Sequence, residues 1–194
     1  MPTVVVATGN PGKLKEMQSF LGDLGWQLML KPESIQVEET GQTFLENARL
    51  KASEVAKATG KVAIADDSGL AIDALNGAPG IYSARYAATS EACIDRVLAE
   101  LTNEKDRGAQ FVCALAIANP DGTIALETEG ICRGEILHRR QGRGGFGYDP
   151  IFYVPDVGKS FAEMSDGEKD THSHRGIAFR QILPQLRSHF PLKD

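Results

Sequence analysis

With 194 residues, 42% of them hydrophobic, the chain has enough apolar material to bury a sizeable core, yet no stretch approaches the roughly 18 apolar residues that a spanning helix needs. Its net charge of −5 argues against a protein that wraps a nucleic-acid backbone, where many phosphates must be met by Lys and Arg, and leaves room for a small anionic ligand in a local basic pocket. Cys93, Cys113 and Cys132 are odd in number and far apart, the pattern of reduced thiols in a cytoplasmic protein; neither a disulfide framework nor a membrane location is expected.

The chain opens on Thr3-Val4-Val5-Val6-Ala7, a run of β-formers, which passes straight into Thr8-Gly9-Asn10-Pro11-Gly12-Lys13. This reads as a strand, a tight loop and a helix, with Leu14, Met17, Leu21 and Leu24 at helical spacing and Gly25 as the stop. The loop is neither a Walker A motif nor a dinucleotide fingerprint. Its glycines, the positive helix end and Lys13 nevertheless suit a phosphate. Gln27–Leu30 reads as a second short strand, and Thr43-Phe44-Leu45-Glu46 as a capping box opening an alanine-rich helix that ends at Gly60.

Val62–Ala65 is expected to be a short buried strand delivering Asp66-Asp67-Ser68-Gly69 at its carboxyl end. Thr89 and Ser90 are placed to cap a third helix that uses Ile94, Val97, Leu98 and Leu101. Asn119-Pro120-Asp121-Gly122 is a strong turn between Phe111–Ala118 and Thr123–Thr128, so a long antiparallel hairpin is expected and the sheet is mixed. Gly130–Leu137 and Ile151–Val154 supply further strands, flanking the glycine-dense loop Gly142–Pro150. The last helix is expected to begin near Ser173 and to be kinked or restarted at Pro184, while Pro155–Gly167 carries no readable signal.

Two acidic doublets, Glu38-Glu39 and Asp66-Asp67, can meet over the Gly9–Lys13 loop. One or two carboxylates completed by substrate phosphates are the usual way of holding Mg²⁺. Adjacent side chains of an extended segment face opposite ways, so one member of each doublet is expected at the metal. Asp67, nearer Ser68 and expected closer to the loop, is the choice for ligand and for orienting or deprotonating a water. Ser68 is either a phosphate donor or a plain turn residue. Phe146 and Tyr148, set among glycines, are either a platform for a planar base or core anchors of their loop. Lys169, His174 and Arg175 offer donors to a phosphate or a purine 6-keto oxygen, Arg139 and Arg140 read as solvated, and the spacing of His172 and His174 does not suit zinc.

These segments, together with Gly77–Tyr86, Gly144–Pro150 and Ser173-His174-Arg175-Gly176, resemble in order and over residues 3 to about 187 the inosine triphosphate pyrophosphatase family. The resemblance implies Mg²⁺-dependent hydrolysis of ITP, XTP and dITP between the α- and β-phosphates, giving a monophosphate and pyrophosphate and so clearing deaminated purines from the nucleotide pool. It implies a homodimer, and an elongated α/β fold with a mixed, curved sheet flanked by helices and a cleft between two lobes, here one domain over residues 1–194. By motif, Thr8, Gly9, Asn10, Pro11, Gly12 and Lys13 would bind the triphosphate, with Asn10 and Lys13 also in the catalytic set. Glu39 and Asp67 would hold the metal, and Asp67 would accept the proton. Ser68, Phe146, Gly147, Tyr148, Asp149, Lys169, His174 and Arg175 would complete the substrate pocket. A sensor that binds without turnover would not need the two carboxylates, and a small-metabolite phosphatase would release orthophosphate.

Overall fold

The computed structural model describes residues 3–190. A seven-stranded sheet has the order β2-β1-β3-β4-β5-β6-β7, with β1 spanning Thr3–Val6, β2 Gln27–Leu30, β3 Val62–Ile72, β4 Gly108–Ala118, β5 Ile124–Ile136, β6 Phe152–Val154 and β7 Lys159–Ser160. β1 runs parallel to both β2 and β3, pairing Val5 with Met29 and Ala63, whereas β6 is antiparallel to β5 and β7. The helices are α1 (Pro11–Leu21), α2 (Phe44–Thr59), α3 (Ser90–Glu100), α4 (Asp166–His172) and α5 (His174–His189). Among the described residues no helix is long and apolar enough to cross a membrane.

The caps follow the sequence closely. α1 tightens into a 3₁₀ turn over Gly22–Leu24 that is closed by Gly25 at φ 62°. Thr43 accepts the Glu46 amide and Glu46 reaches back to the Thr43 amide, starting α2, while Gly60 at φ 64° ends it. Thr89 caps α3 through the Ala92 amide.

Several expectations need correction. β3 does not stop before the acidic doublet: it runs for 11 residues, so Asp66 and Asp67 stand in mid-strand. The Asp-Asp-Ser-Gly composition that resembles a turn is overridden because Leu70 and Ile72, further along, bury completely. Residues 124–136 form one strand of 13 residues, not two. Pro11 to Lys13 belong to the first turn of α1, with Pro11 at a position where its missing N–H costs nothing. Pro184 lies inside α5, which neither stops nor restarts there. It sits on the exposed side with Arg180 and Gln181, where water can satisfy the carbonyl four residues back. The silent segment 155–167 contains β7 and leads into α4, with two capping boxes, Ser160 with Glu163 and Ser165 with Glu168.

The chain forms two compact units, of which the first comprises residues 3–67, 113–130 and 178–190. Its strands carry a different size of side chain on each face. Val4, Val6, Ile64, Cys113, Leu115 and Ile117 share a cluster with Met17 and Leu21 of α1 and with Phe179, Ile182 and Leu186 of α5, and Phe20 stacks on Phe179 at 4.7 Å. On the other face Val5, Ala7, Ala63, Ala65, Ala114, Ala116 and Ala118 meet Ala48, Ala52, Val55 and Ala56 of α2. Strand alternation sorts these residues, and the small side chains let α2 lie close on its face.

The second unit, residues 68–112 and 131–177, has one core. Leu70, Ile72, Ile94, Val97, Leu101, Phe111, Ile136, Phe152 and Phe161 are its main members, with Phe111 and Phe152 edge to face at 4.7 Å. Arg107 ties its strands to α3, donating to the carbonyls of Leu101, Ile136 and Leu137. All three cysteines are buried, and none of them is in a disulfide.

Candidate active site

In the first unit the alternation of β3 decides which side chain meets which helix. Asp66 follows Ile64 onto the α1 face, where its carboxylate, fully buried, ion-pairs with Lys13 Nζ at 2.9 Å. Asp67 follows Ala63 and Ala65 onto the α2 face, where Lys51 Nζ donates to its Oδ1 at 2.8 Å and the Asn47 amide to its Oδ2 at 3.3 Å. The doublet therefore splits as expected, but Lys13 reaches Asp66, not Asp67. Lys51 also donates to Glu39 Oε1 at 2.7 Å, so Glu39 and Asp67 converge on one ammonium group. Glu38, by contrast, is exposed.

Burial pushes the Asp67 carboxyl above its ordinary value, with Lys51 acting in the opposite sense. The Lys51 ammonium is held protonated: burial disfavours the charge, but Asp67, Asp66 and Glu39 together outweigh it. Asn47 and Lys51 carried no role in the sequence reading. Their signal was available, because Asn47 falls on the buried stripe of α2 and Lys51 lies one turn later.

At the start of α1, Asn10 caps its own helix: its Oδ1 accepts the amides of Gly12 at 2.9 Å and Lys13 at 3.4 Å, and its own amide donates to Thr8 Oγ1. The turn is open to solvent at Gly9, Asn10 and Pro11, and a side chain at Gly9 would meet nothing within 4 Å. An anion arriving at this helix end meets donors already gathered by a neutral amide that it can replace.

The second unit holds the remaining expected residues in two groups. Ser68, the residue after Asp67, accepts a hydrogen bond from the Arg175 guanidinium at 3.1 Å, and Arg175 is 2% exposed. Beside it at the start of α5, His174 is buried flat against Phe111, with ring centroids 4.7 Å apart, and also stacks on Phe161. In the glycine-rich loop Asp149 is the organiser: its Oδ2 accepts the Phe146 amide at 2.9 Å and the Lys169 ammonium at 2.8 Å. Gly145 has φ 72°, and a Cβ there would run into the Asp149 carboxylate. Lys169 Nζ lies 5.2 Å from the Phe146 ring centroid, a cation–π contact.

The two aromatics of this loop differ. Phe146 is 38% exposed and offers a ring, whereas Tyr148 is 5% exposed, sits in the core, and donates its hydroxyl to the Ser83 carbonyl at 2.8 Å. Burial pushes the Tyr148 phenol up, and the neighbouring Cys93 acts in the same sense. Ser83 in turn accepts the Leu70 amide and donates to the Gly80 carbonyl, so the Gly77–Tyr86 segment braces both β3 and the glycine-rich loop. Arg140, read as solvated, pairs with Asp95 at 2.8 Å on the surface.

Comparison with known proteins places these residues in context. A family model described as the Ham1 family matches residues 4–185. A protein of a Nostoc species called a dITP/XTP pyrophosphatase is 62% identical over 94% of this chain and 93% of its own. A Synechocystis protein of the same name is 60% identical, covering 95% of each chain. Among solved structures, a HAM1 protein from Coxiella burnetii superposes with TM-score 0.89 at 44% identity, covering 97% of this chain and all of that one. The Ham1 protein of Staphylococcus aureus gives TM-score 0.86 at 43% identity over 96% and 98% of the two chains.

Proposed function

The chain belongs to the Ham1 family, and from that premise we propose that it hydrolyses dITP, XTP and ITP to the nucleoside monophosphate and pyrophosphate with the help of Mg²⁺. It is a nucleoside triphosphate pyrophosphatase, the activity named in relatives up to 62% identical to it. The structural observation that carries the mechanism is the convergence of Glu39 Oε1 and Asp67 Oδ1 on a single cation, the Lys51 ammonium, at 2.7 and 2.8 Å.

Hard carboxylate oxygens gathered around one positive charge fit a magnesium site. Two protein carboxylates would leave the remaining positions of the ion to substrate phosphates and water. Glu39 and Asp67 would hold Mg²⁺. When bound, the ion withdraws charge from the phosphate oxygens and fixes their orientation.

The protein's own groups do the rest. The open turn Thr8–Asn10 and the first turn of α1, Pro11–Lys13, receive the triphosphate, with Lys13 and Asn10 supplying a charge and an amide. Asp67, its pKa raised by burial, takes a proton from the attacking water, a role worth roughly 10²–10⁴ in rate. Phe146 offers its exposed ring to the base, while Asp149 and Lys169 hold that loop in shape. Arg175 with His174 reads the 6-keto oxygen, where adenine carries an amino group, and Ser68 serves a phosphate oxygen. Tyr148 and Gly147 contribute through the backbone they position. The enzyme works in the cytoplasm as a homodimer.

Steady-state hydrolysis of dITP, XTP, ITP, ATP and GTP, with and without Mg²⁺ and with the product identified, tests this reading. Mg²⁺-dependent pyrophosphate from the first three is the expected result. Orthophosphate release would redirect the assignment to a phosphatase, and binding without turnover to a sensor.

A further inference from the structure

Asn47 has a geometry that a helix-filling residue does not need. It is completely buried, in the first turns of α2, although asparagine is a poor helix former and a buried amide is costly unless both its ends are used. Both ends are used, and both face the acidic cluster. Its Oδ1 accepts the Gly41 amide at 2.8 Å, and its Nδ2 donates to Asp67 Oδ2 at 3.3 Å.

Gly41 lies two residues beyond Glu39, so one side chain ties the segment bearing one carboxylate to the strand bearing the other. Lys51, four residues on and therefore on the same side of α2, takes the second oxygen of Asp67. One donor on each oxygen fixes the plane of the carboxylate. The approach is also matched from the other side: a Cβ on Gly41 would stand 2.7 Å from Asn47 Oδ1, so only glycine admits the contact.

We infer that Asn47 is a positioning residue for the reaction, holding Asp67 and the Glu39 segment at the separation that a divalent cation requires. The inference rests on the proposed pyrophosphatase reading for its kinetic part and on the cluster geometry alone for its metal part. Asn47 touches neither substrate nor metal; it acts through Asp67 and through the Gly41 backbone.

The test compares wild type with Asn47→Leu, which keeps the branching of the side chain and removes both hydrogen bonds, and with Gly41→Ala, which disturbs the same contact without altering Asn47. Three quantities are measured: kcat and KM for dITP per folded molecule, Mn²⁺ affinity of the nucleotide-free protein by electron paramagnetic resonance, and the thermal midpoint. In both variants kcat should fall tenfold or more with KM for dITP within about twofold, and Mn²⁺ should bind at least fivefold more weakly. In an Asp67→Asn background the same substitutions should cost less than twofold further, because the group they act through is gone. A lowered thermal midpoint with unchanged Mn²⁺ affinity and unchanged kcat would make Asn47 purely structural and overturn the inference. If wild type hydrolysed none of the triphosphates, the functional reading would fall, while the ratio of Mn²⁺ affinities would still decide the role of Asn47.

Discussion

The acidic cluster of the first unit and the glycine-rich loop of the second are built by opposite means. Asp66, Asp67, Lys13, Asn47 and Lys51 all stand on regular elements, a strand and two helices, and their positions follow from the periods of 2 and 3.6. Phe146, Gly147 and Tyr148 stand on irregular backbone that is held by side-chain bonds, one within the loop, Asp149 to the Phe146 amide, and two to neighbouring segments, Lys169 of α4 to Asp149 and Tyr148 to the Ser83 carbonyl. Glu39 is the exception in the first region, standing on irregular backbone that Asn47 ties to α2 through the Gly41 amide, while the other groups of the cluster sit on stiff supports. The ring proposed for a base rides on a loop that is braced at three points. The comparison teaches that damage to the first region should appear mainly in kcat, and damage to the second mainly in KM and selectivity.

The largest effect is expected from Asp67→Asn, which keeps the shape of the cluster and removes the proposed base. Turnover should drop roughly 10²–10⁴-fold with nucleotide binding retained; a fall in affinity instead would break the proposed division of labour. In the proposed role Asp67 acts only when deprotonated, and burial raises its pKa above the ordinary 3.8, so kcat/KM should begin to fall at a pH above that value and then drop tenfold per unit as the pH is lowered further. Lys51→Met removes the cation that holds the pKa down and should move this acidic limb to higher pH. A limb shifted downward, in a profile of kcat/KM against pH, would contradict the assignment.

Arg175→Ala should act next most strongly, and on choice of base. Losing a hydrogen bond from a charged donor costs about 1.5–3 kcal/mol, so the preference for dITP over dATP should narrow about 10–100-fold in paired kcat/KM measurements. An unchanged ratio would remove Arg175 from base reading. Gly145→Ala sharpens the contrast from the loop side: at φ 72° and against Asp149 it strains the backbone by about 1–2 kcal/mol. KM for dITP should rise about tenfold while kcat changes little. Tyr148→Phe is expected to be the mildest, costing about 1 kcal/mol of stability through the lost bond to Ser83. Denaturant unfolding measures it, and selectivity should stay as in wild type.

Much of the first region was legible in the chain itself. The opening strand, the capping box at Thr43 and the glycine stops at Gly25 and Gly60 are local signals, and each appears where local chemistry puts it. The length of β3 was not legible, because its continuation depends on burial of Leu70 and Ile72 in a core assembled from distant segments. The positions of Asn47 and Lys51 on α2 were legible from its periodicity, but not their role, because the Asp67 carboxylate they bond to lies up to 20 residues away. The boxes at Ser160 and Ser165 were local and readable, but fell in a stretch without hydrophobic periodicity to draw attention to them. Tyr148 could not be sorted from Phe146 by sequence, since a glycine precedes each, and it is burial and the bond to the Ser83 carbonyl that distinguish them.

The alanine face of the first unit has a meaning beyond packing. Ala48 and Ala52 lie on the same helix as Asn47 and Lys51, and they share one buried cluster with Ala63 and Ala65, the residues that lead up to Asp67. The thickness of that layer is therefore a spacer gauge, one methyl deep on each side, which sets how far an amide and an ammonium stand from a carboxylate. A valine at Ala52 would thicken the gauge without touching a single polar atom, and the chemistry would be mis-set by the width of a carbon.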